Sequence, residues 1–311
     1  MKKLSFQGFG PSEDTGWRAI LRKMPLYVLL TAFALLYIEP LIYIFSMSFK
    51  STSDLTNATA KWIPQNPSLL NLQYAFESMK VKITFLDKYS IWENLMRSTV
   101  FASLVTSFLP AIIQVYTCAI AGYAFARLNF RFKKLLFVLL LLSYIIPPQT
   151  VVMPLIWIYR ALGIINTPLS FILPAVFGCG LKGSLFIVIY MQFFKKLPAQ
   201  LEEAAYIDGA STYRVFHKVM LPLAKPARIT VFLFSLVWHW DETYLTGIFY
   251  TKYNTLATAI EAIEIPEGNY SLNAMAVKIA CVMIFVVPIL VIYIFQQRNF
   301  TESIERTGIV E

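Results

Sequence analysis

Residues 26–47 read LYVLLTAFALLYIEPLIYIFSM, and this stretch decides the class of fold. Its 22 residues contain one charged side chain, Glu39. A hydrocarbon core is roughly 30 Å thick and takes about 20 apolar residues to cross, whereas a barrel strand needs only about 9 to 11 alternating ones. Because lipid offers the backbone no hydrogen-bond partners, we expect a membrane-spanning helix.

Five more blocks of this kind follow along the chain. They cover residues 100–123, 135–159, 169–194, 229–250 and 274–295. Over the whole chain 57% of residues are hydrophobic and 14% are charged, whereas soluble domains carry about 25% charged residues. The sequence therefore predicts an all-α polytopic membrane protein with six transmembrane helices.

The charge pattern predicts orientation. The net charge of +9 could suggest nucleic acid, but most Lys and Arg residues lie in the segments that would be cytoplasmic if the N-terminus is inside. By the positive-inside rule both termini are expected in the cytoplasm. We expect a cytoplasmic tail over residues 1–24, a membrane domain over 25–297 and a second tail over 298–311. The three cysteines lie inside apolar blocks without metal-ligand spacing, which favours packing roles.

Helix-breaking residues interrupt two of the blocks. Pro147, Pro148 and Pro154 fall in the third, and Gly178, Gly180 and Gly183 fall in the fourth. Broken helices are tolerated in membranes where protein or a water-filled cavity satisfies the freed backbone groups. A translocation path and close packing through small residues are both compatible with this pattern.

The fourth and fifth blocks are separated by a polar stretch, LPAQLEEAAYIDGASTYRVFHKVMLPLAKP, over residues 197–226. Its chemistry predicts two short helices. Pro198 can open the first, and Gly209 permits a break. Ser211 can cap the second, and Pro222 is expected to stop it.

The spacing within this stretch is specific. Glu203, Ala204 and Ala205 are followed after three residues by Gly209, and Val219-x-Leu221-Pro222 comes nine residues later. This resembles the EAA loop of binding-protein-dependent ABC importer permeases, with Val where that family usually has Ile. The resemblance implies a coupling loop over 195–226 whose first helix docks into a cytoplasmic ATPase subunit. A solvated amphipathic linker is the alternative. The residues expected at the joint are Glu202, Glu203, Ala204, Ala205, Tyr206, Asp208, Gly209, Ala210, Leu221 and Pro222.

Other segments resemble the carbohydrate-uptake permeases of the maltose-transporter type. They are EPLIYIFSMSFKS (39–51), NLQYAF (71–76), AGYAFARLNFRFKKLLF (121–137), PPQTVVMPLIWIYRALGIINTPLSFILP (147–174) and FQQRNF (295–300). The chain departs from that pattern where Asp241 and Glu242 follow Trp240, in place of Trp-Asn-Asp. Its C-terminal SIERTGIVE also differs from the family's Gly-rich basic tail, which leaves any regulatory role of the tail open.

The resemblance implies a permease subunit of a sugar importer in the bacterial inner membrane, forming half of the pathway for a mono- or oligosaccharide. Expected partners are a second homologous permease, an ATPase dimer, an extracytoplasmic sugar-binding protein and lipid, but no nucleic acid. The sequence has no GxxxxGK[ST] loop, so ATP and Mg are expected on the ATPase, with no cofactor or metal on this chain and no enzymatic activity. An ABC permease for another solute and an ATP-independent carrier are the alternatives.

Charged residues within membrane spans are costly and therefore indicate function. The candidates for the substrate pathway are Glu39, Lys182, Asp241 and Glu242, with Trp238, Trp240 and Tyr244 as neighbouring aromatic residues. Lys182 lies among the glycines of the fourth block, where it could attract an anionic sugar. A buried pair with Asp241 or Glu242, or extension of the side chain to the interface, explains it equally well.

Overall fold

The computed structural model describes residues 17–57, 62–263 and 273–308. Of the predicted N-terminal tail, residues 1–16 lie outside this part of the chain, as do 309–311 of the C-terminal tail. The described residues form helices and connecting segments, without a β-strand among them. This agrees with the predicted all-α class.

Fifteen helices are present in these described ranges. In chain order they are α1 (Trp17–Ser48), α2 (Thr52–Thr56), α3 (Leu70–Ser78), α4 (Ile91–Met96), α5 (Thr99–Arg127), α6 (Lys133–Ile145), α7 (Pro148–Ala161), α8 (Leu169–Val176), α9 (Gly183–Lys196), α10 (Gln200–Ile207), α11 (Thr212–Leu223, with a π-helical turn at Phe216–Met220), α12 (Lys225–Trp240), α13 (Tyr244–Phe249), α14 (Leu256–Glu261) and α15 (Ala274–Gly308).

Several of these helices are long and apolar enough to cross a membrane. Three do so as continuous segments of the described chain, over Lys23–Ser48, Thr99–Arg127 and Ala274–Gln297. Two bent pairs qualify as single broken spans: α6 with α7, bent by 103°, and α11 with α12, bent by 77°. The architecture is that of a polytopic membrane protein, while the count of six spans and the orientation stay predictions.

Three predicted blocks are not continuous helices. The third breaks at Ile146 and Pro147, and the fourth breaks between Phe177 and Lys182, as the prolines and glycines predicted. The fifth was expected to run over 229–250, but its helix ends at Trp240. It ends there because two carboxylates follow, and Glu242 Oε1 accepts the backbone N–H of Leu245 at 2.7 Å in the first turn of α13.

Helix α5 is the centre of the bundle and packs closely against α9. A Cβ atom added to Gly122 would lie 2.5 Å from Tyr190 Cβ, so only glycine permits this approach. Buried side chains from α5, α9, α11 and α12 fill the adjoining core, among them Cys118, Phe186, Phe194, Phe216 and Val231. Cys281 is buried too, while Cys179 is exposed.

Helix α1 packs mainly along α15 and leaves most of its apolar surface uncovered. Within its membrane-spanning portion, Leu35 is 63% exposed and Tyr37 is 74% exposed in this chain. Apolar surface of this extent is normal only against lipid or another subunit. The helix is therefore at the periphery of the bundle.

Helix α4 and the segment that follows α13 are joined by an ion pair on the predicted outer side. Lys252 Nζ lies 2.6 Å from Glu93 Oε1. This hydrogen bond lowers the pKa of Glu93 and raises the pKa of Lys252. Lys252 is exposed and Glu93 is partly exposed, so the contact contributes little to the stability of the fold.

Candidate functional site

The predicted coupling loop folds as two helices around a glycine. Helix α10 begins at Gln200, two residues after Pro198, and ends before Gly209, whose φ of +78° lies in the left-handed region. Ser211 Oγ then accepts the N–H of Arg214 at 3.4 Å and caps α11. The glycine break and the serine cap are both confirmed.

Helix α11 continues further than the sequence predicts. Pro222 was expected to stop it, but the helix runs to Leu223 and bends by 77° into α12. Pro222 lies in the last turn of α11, so the helix ends one residue beyond the predicted stop. Its inner face buries Val215, Phe216 and Met220 in the bundle core.

The two adjacent carboxylates of α10 differ in their exposure. Glu203 is exposed, whereas Glu202 is 8% exposed and its Oε2 lies 3.5 Å from Arg127 Nε at the end of α5. Arg127 Nη2 also donates to the backbone carbonyl of Leu197, just after α9. Helix α10 is thus tied to the ends of two spans through a single guanidinium group.

The tip of the loop presents apolar and aromatic surface. Ile207, the last residue of α10, is 85% exposed, and Tyr213 on α11 is 71% exposed. Tyr206 and Asp208 are exposed beside them, and Ala205 and Ala210 are partly covered. The loop therefore has an anchored inner face and a free outer face.

A second polar region lies where the breaks of the third and fourth blocks meet. The breaks border a cavity of about 430 Å³. Its polar lining groups include Ser143, Lys182, Ser184 and His239. Lys182 Nζ lies 5.6 Å from the ring centroid of Tyr144 and 5.9 Å from that of Trp238.

The other predicted pathway residues lie in different surroundings. Trp240 is buried, and its Nε1–H donates to the carbonyl of Phe285 at 3.1 Å, as expected of a packing residue. Asp241 and Tyr244 are exposed near the end of α12. Glu39 is exposed on the peripheral helix α1, beside a separate depression. The structure therefore brings Lys182 and Trp238 together but not the full predicted set.

A buried polar network that the sequence analysis missed supports the cavity. Gln114 is 0% exposed; its Nε2 donates to the carbonyl of Leu181 at 3.2 Å, and its Oε1 accepts Ser235 Oγ–H at 2.6 Å. His239 Nδ1 lies 2.8 Å from the carbonyl of Ser235. Because a carbonyl can only accept, Nδ1 carries the proton and Nε2 is left as an acceptor.

Comparison with known proteins gives the family. Residues 118–301, more than half of the chain, match the family described as binding-protein-dependent transport system inner membrane component. The chain belongs to this family. The matched region contains the predicted coupling loop and most of the cavity lining.

Individual relatives extend over most of the permease. It is 31% identical to the trehalose transport system permease protein SugB of Mycobacterium tuberculosis, over 87% of this chain and 90% of that one. It is 29% identical to the sulfoquinovosyl glycerol transport system permease protein SmoH of Agrobacterium fabrum, over 83% and 84%. A solved structure of a bacterial ABC transporter involved in import of the acidic polysaccharide alginate shares the fold, with TM-score 0.64 and 20% identity over 93% of this chain and 100% of that one.

Two features of the permease were not evident from its sequence. In the sequence Arg127 indicates only on which side of the membrane its loop lies, and Gln114 has no distinctive signal. The available signals were a basic residue shortly after the second block and a glutamine within that block. Neither signal identifies the residue that it contacts. Glu202 was placed at the ATPase joint, whereas the structure turns its side chain toward Arg127.

Proposed function

We propose that this permease is one of two membrane subunits of an ATP-driven sugar importer and forms half of its translocation pathway. A second homologous permease completes the pathway, a cytoplasmic ATPase dimer drives it, and an extracytoplasmic binding protein delivers the sugar. Membership of the family supports the permease role. The printed names of its relatives, which refer to trehalose and sulfoquinovosyl glycerol transport, support a saccharide substrate.

The exposed tip of α10 is the observation that carries the coupling role. Ile207 is 85% exposed at the end of a short helix whose other face is anchored by Glu202. An apolar side chain held out in this way on a fixed helix fits insertion into a pocket on a partner. The small Ala204 lets another backbone approach closely.

The anchoring suggests how a movement of the ATPase subunits would reach the membrane helices. Closure of the ATPase dimer would displace α10 and, through Glu202 and Arg127, the end of α5. Helix α11 is bent but joined directly to α12, so the same displacement reaches the fifth span. Because α5 packs tightly on α9, both would move as rigid bodies, the usual form of alternating access.

The nucleotide chemistry belongs to the partner in this proposal. The sequence has no Walker-type phosphate loop, so ATP and Mg would bind the ATPase subunits. This chain would contribute binding, orientation and movement.

The test uses the complete transporter reconstituted in proteoliposomes. We expect Ile207→Asp, Glu203→Lys and Gly209→Pro each to reduce ATP-dependent saccharide uptake and binding-protein-stimulated ATPase activity together, because each alters the docking helix. Phe132→Asp is the matched control, since Phe132 is also a well-exposed apolar residue, 61% exposed, in the loop after α5.

Two outcomes would contradict the proposal. Full coupling in all three loop variants would show that α10 does not engage the ATPase. Accumulation of saccharide by this chain alone, without ATP, would identify an independent carrier instead.

A further inference from the structure

The cavity between the broken third and fourth blocks has the dimensions and depth of a ligand site. Its volume of about 430 Å³ falls within the roughly 300–1,000 Å³ of small-molecule pockets. Helix α9, which starts at its edge, has 14 residues and is therefore about 21 Å long. The cavity thus lies roughly 21 Å from the end of α9 that leads to the predicted coupling loop.

Lys182 brings a positive charge to this cavity without a close ion pair to any of the described residues. No carboxylate of the described residues lies within 4.0 Å of its ammonium group. Glu242, one of the two carboxylates considered from the sequence, accepts the backbone N–H of Leu245 and interacts with Lys182 only through electrostatics beyond ion-pair distance. The ammonium group rests over two aromatic rings. Lys182 is exposed at the cavity, and a lysine within a predicted membrane span is costly unless it serves a ligand or a path.

The backbone adds to the positive potential at the same place. Lys182 has φ +55° and immediately precedes α9, so its side chain is attached at the helix N-terminus. The N-terminal end of a helix has a partial positive charge and favours anions. In transporters with interrupted helices, such half-helix N-termini face anionic substrate groups near the midplane.

The remaining groups suit a sugar ring. Ser143 Oγ and Ser184 Oγ lie 2.7 Å apart on the cavity wall and can exchange hydrogen bonds with ring hydroxyls. His239 Nε2 can accept one, because its Nδ1 is fixed on the carbonyl of Ser235. The aromatic ring of Tyr144, which lines the cavity, can cover the apolar C–H face of a pyranose.

We propose that this cavity is a subsite for an anionic saccharide, one that carries a carboxylate or sulfonate, with Lys182 binding the charged group. This inference rests on the proposed function and specifies its substrate class. The serine and histidine side chains orient the ring, and Tyr144 covers one of its faces.

The experiment compares matched ligands on the complete transporter in nanodiscs. The probes are uronic acid oligosaccharides of two to four residues and their methyl esters, which keep the ring and remove the charge. Affinities are measured for the wild type, Lys182→Met and Lys182→Arg. Lys134→Met is the control, since Lys134 is an exposed cation near the far end of α6 from Tyr144.

We expect the wild type to bind the free acids at least about tenfold more tightly than the esters, the effect of one charge-assisted hydrogen bond. Lys182→Met removes that preference, while Lys182→Arg and Lys134→Met retain it. Equal affinity for acids and esters in the wild type, or an unchanged preference in Lys182→Met, overturns the inference. ATP-dependent uptake of a neutral saccharide in those cases would leave the sugar-importer function standing.

Discussion

The contact between Arg127 and Glu202 gives the sharpest prediction about coupling. The change is Arg127→Met, which keeps an unbranched side chain and removes the guanidinium group. Glu202 then loses its cationic partner while its side chain stays only 10% exposed. Its Oε1 has no hydrogen-bond partner among the described residues even before the change. The carbonyl of Leu197 also loses its donor.

The magnitude follows from burial and distance. Removing one partner of a fully buried ion pair costs about 3–5 kcal/mol, because the other charge stays desolvated. This pair is partly solvated, with side chains 16% and 10% exposed, and its nitrogen–oxygen distance is a long 3.5 Å. We therefore expect the docking of α10 on α5 to weaken by about 2 kcal/mol, which makes the detached population roughly 30-fold larger.

Two measurements follow that population. Hydrogen–deuterium exchange of residues 200–207 in the complete transporter should accelerate in Arg127→Met, and the number of ATP molecules hydrolysed per saccharide imported should rise. Glu202→Gln added to Arg127→Met should recover part of the protection, since it removes the uncompensated charge. Arg131→Met is the matched control, because Arg131 is an exposed arginine in the following loop.

A clear result would refute this reasoning. If exchange of residues 200–207 and the ATP-to-saccharide ratio are the same in Arg127→Met and Arg131→Met, the guanidinium group does not hold the coupling helix. Loss of ATPase subunits from the complex without faster exchange would show that Arg127 acts at the partner interface instead.

Two further predictions concern the bundle. Gly122→Ala should lower the thermal unfolding midpoint of the purified transporter by overpacking, which costs about 1–3 kcal/mol, because the new Cβ would lie 2.5 Å from Tyr190 Cβ and 3.0 Å from two backbone atoms. Gly247→Ala is the control, since a Cβ there would have nothing within 4 Å, and equal midpoints in the two variants would contradict the close approach. Gln114→Leu should cost about 1–3 kcal/mol by leaving Ser235 and the Leu181 carbonyl without their partner; an unchanged midpoint would show that water replaces the amide.

Local chemistry predicted the parts of the structure that depend on neighbouring residues. The apolar block at residues 26–47 was sufficient to predict a spanning helix, since length and hydropathy alone decide that question. Gly209 and Ser211 predicted a break and a cap because both act on the backbone within three residues. Pro147 and Gly178 likewise marked real interruptions.

The parts that depend on distant residues could not be predicted. Gln114 and Ser235 are 121 residues apart, and nothing in either segment names the other. Glu202 and Glu203 have the same chemistry, and only the position of α5 decides which of them is buried. Hydropathy also did not show that the fifth block ends at Trp240, because a helix end set by two carboxylates costs little in the average over a long apolar block.

The π-helical turn at Phe216–Met220 accommodates one additional residue within α11. A π-turn holds one residue more than an α-helical path between the same endpoints, and each residue of an α-helix adds about 100° of rotation. Shortening this turn by one residue would therefore convert it to α-helix between the same endpoints and leave Tyr213 and α12 in place. Removing a residue elsewhere in α11 would instead rotate everything before it by about 100° about the helix axis, including the exposed tip at Ile207.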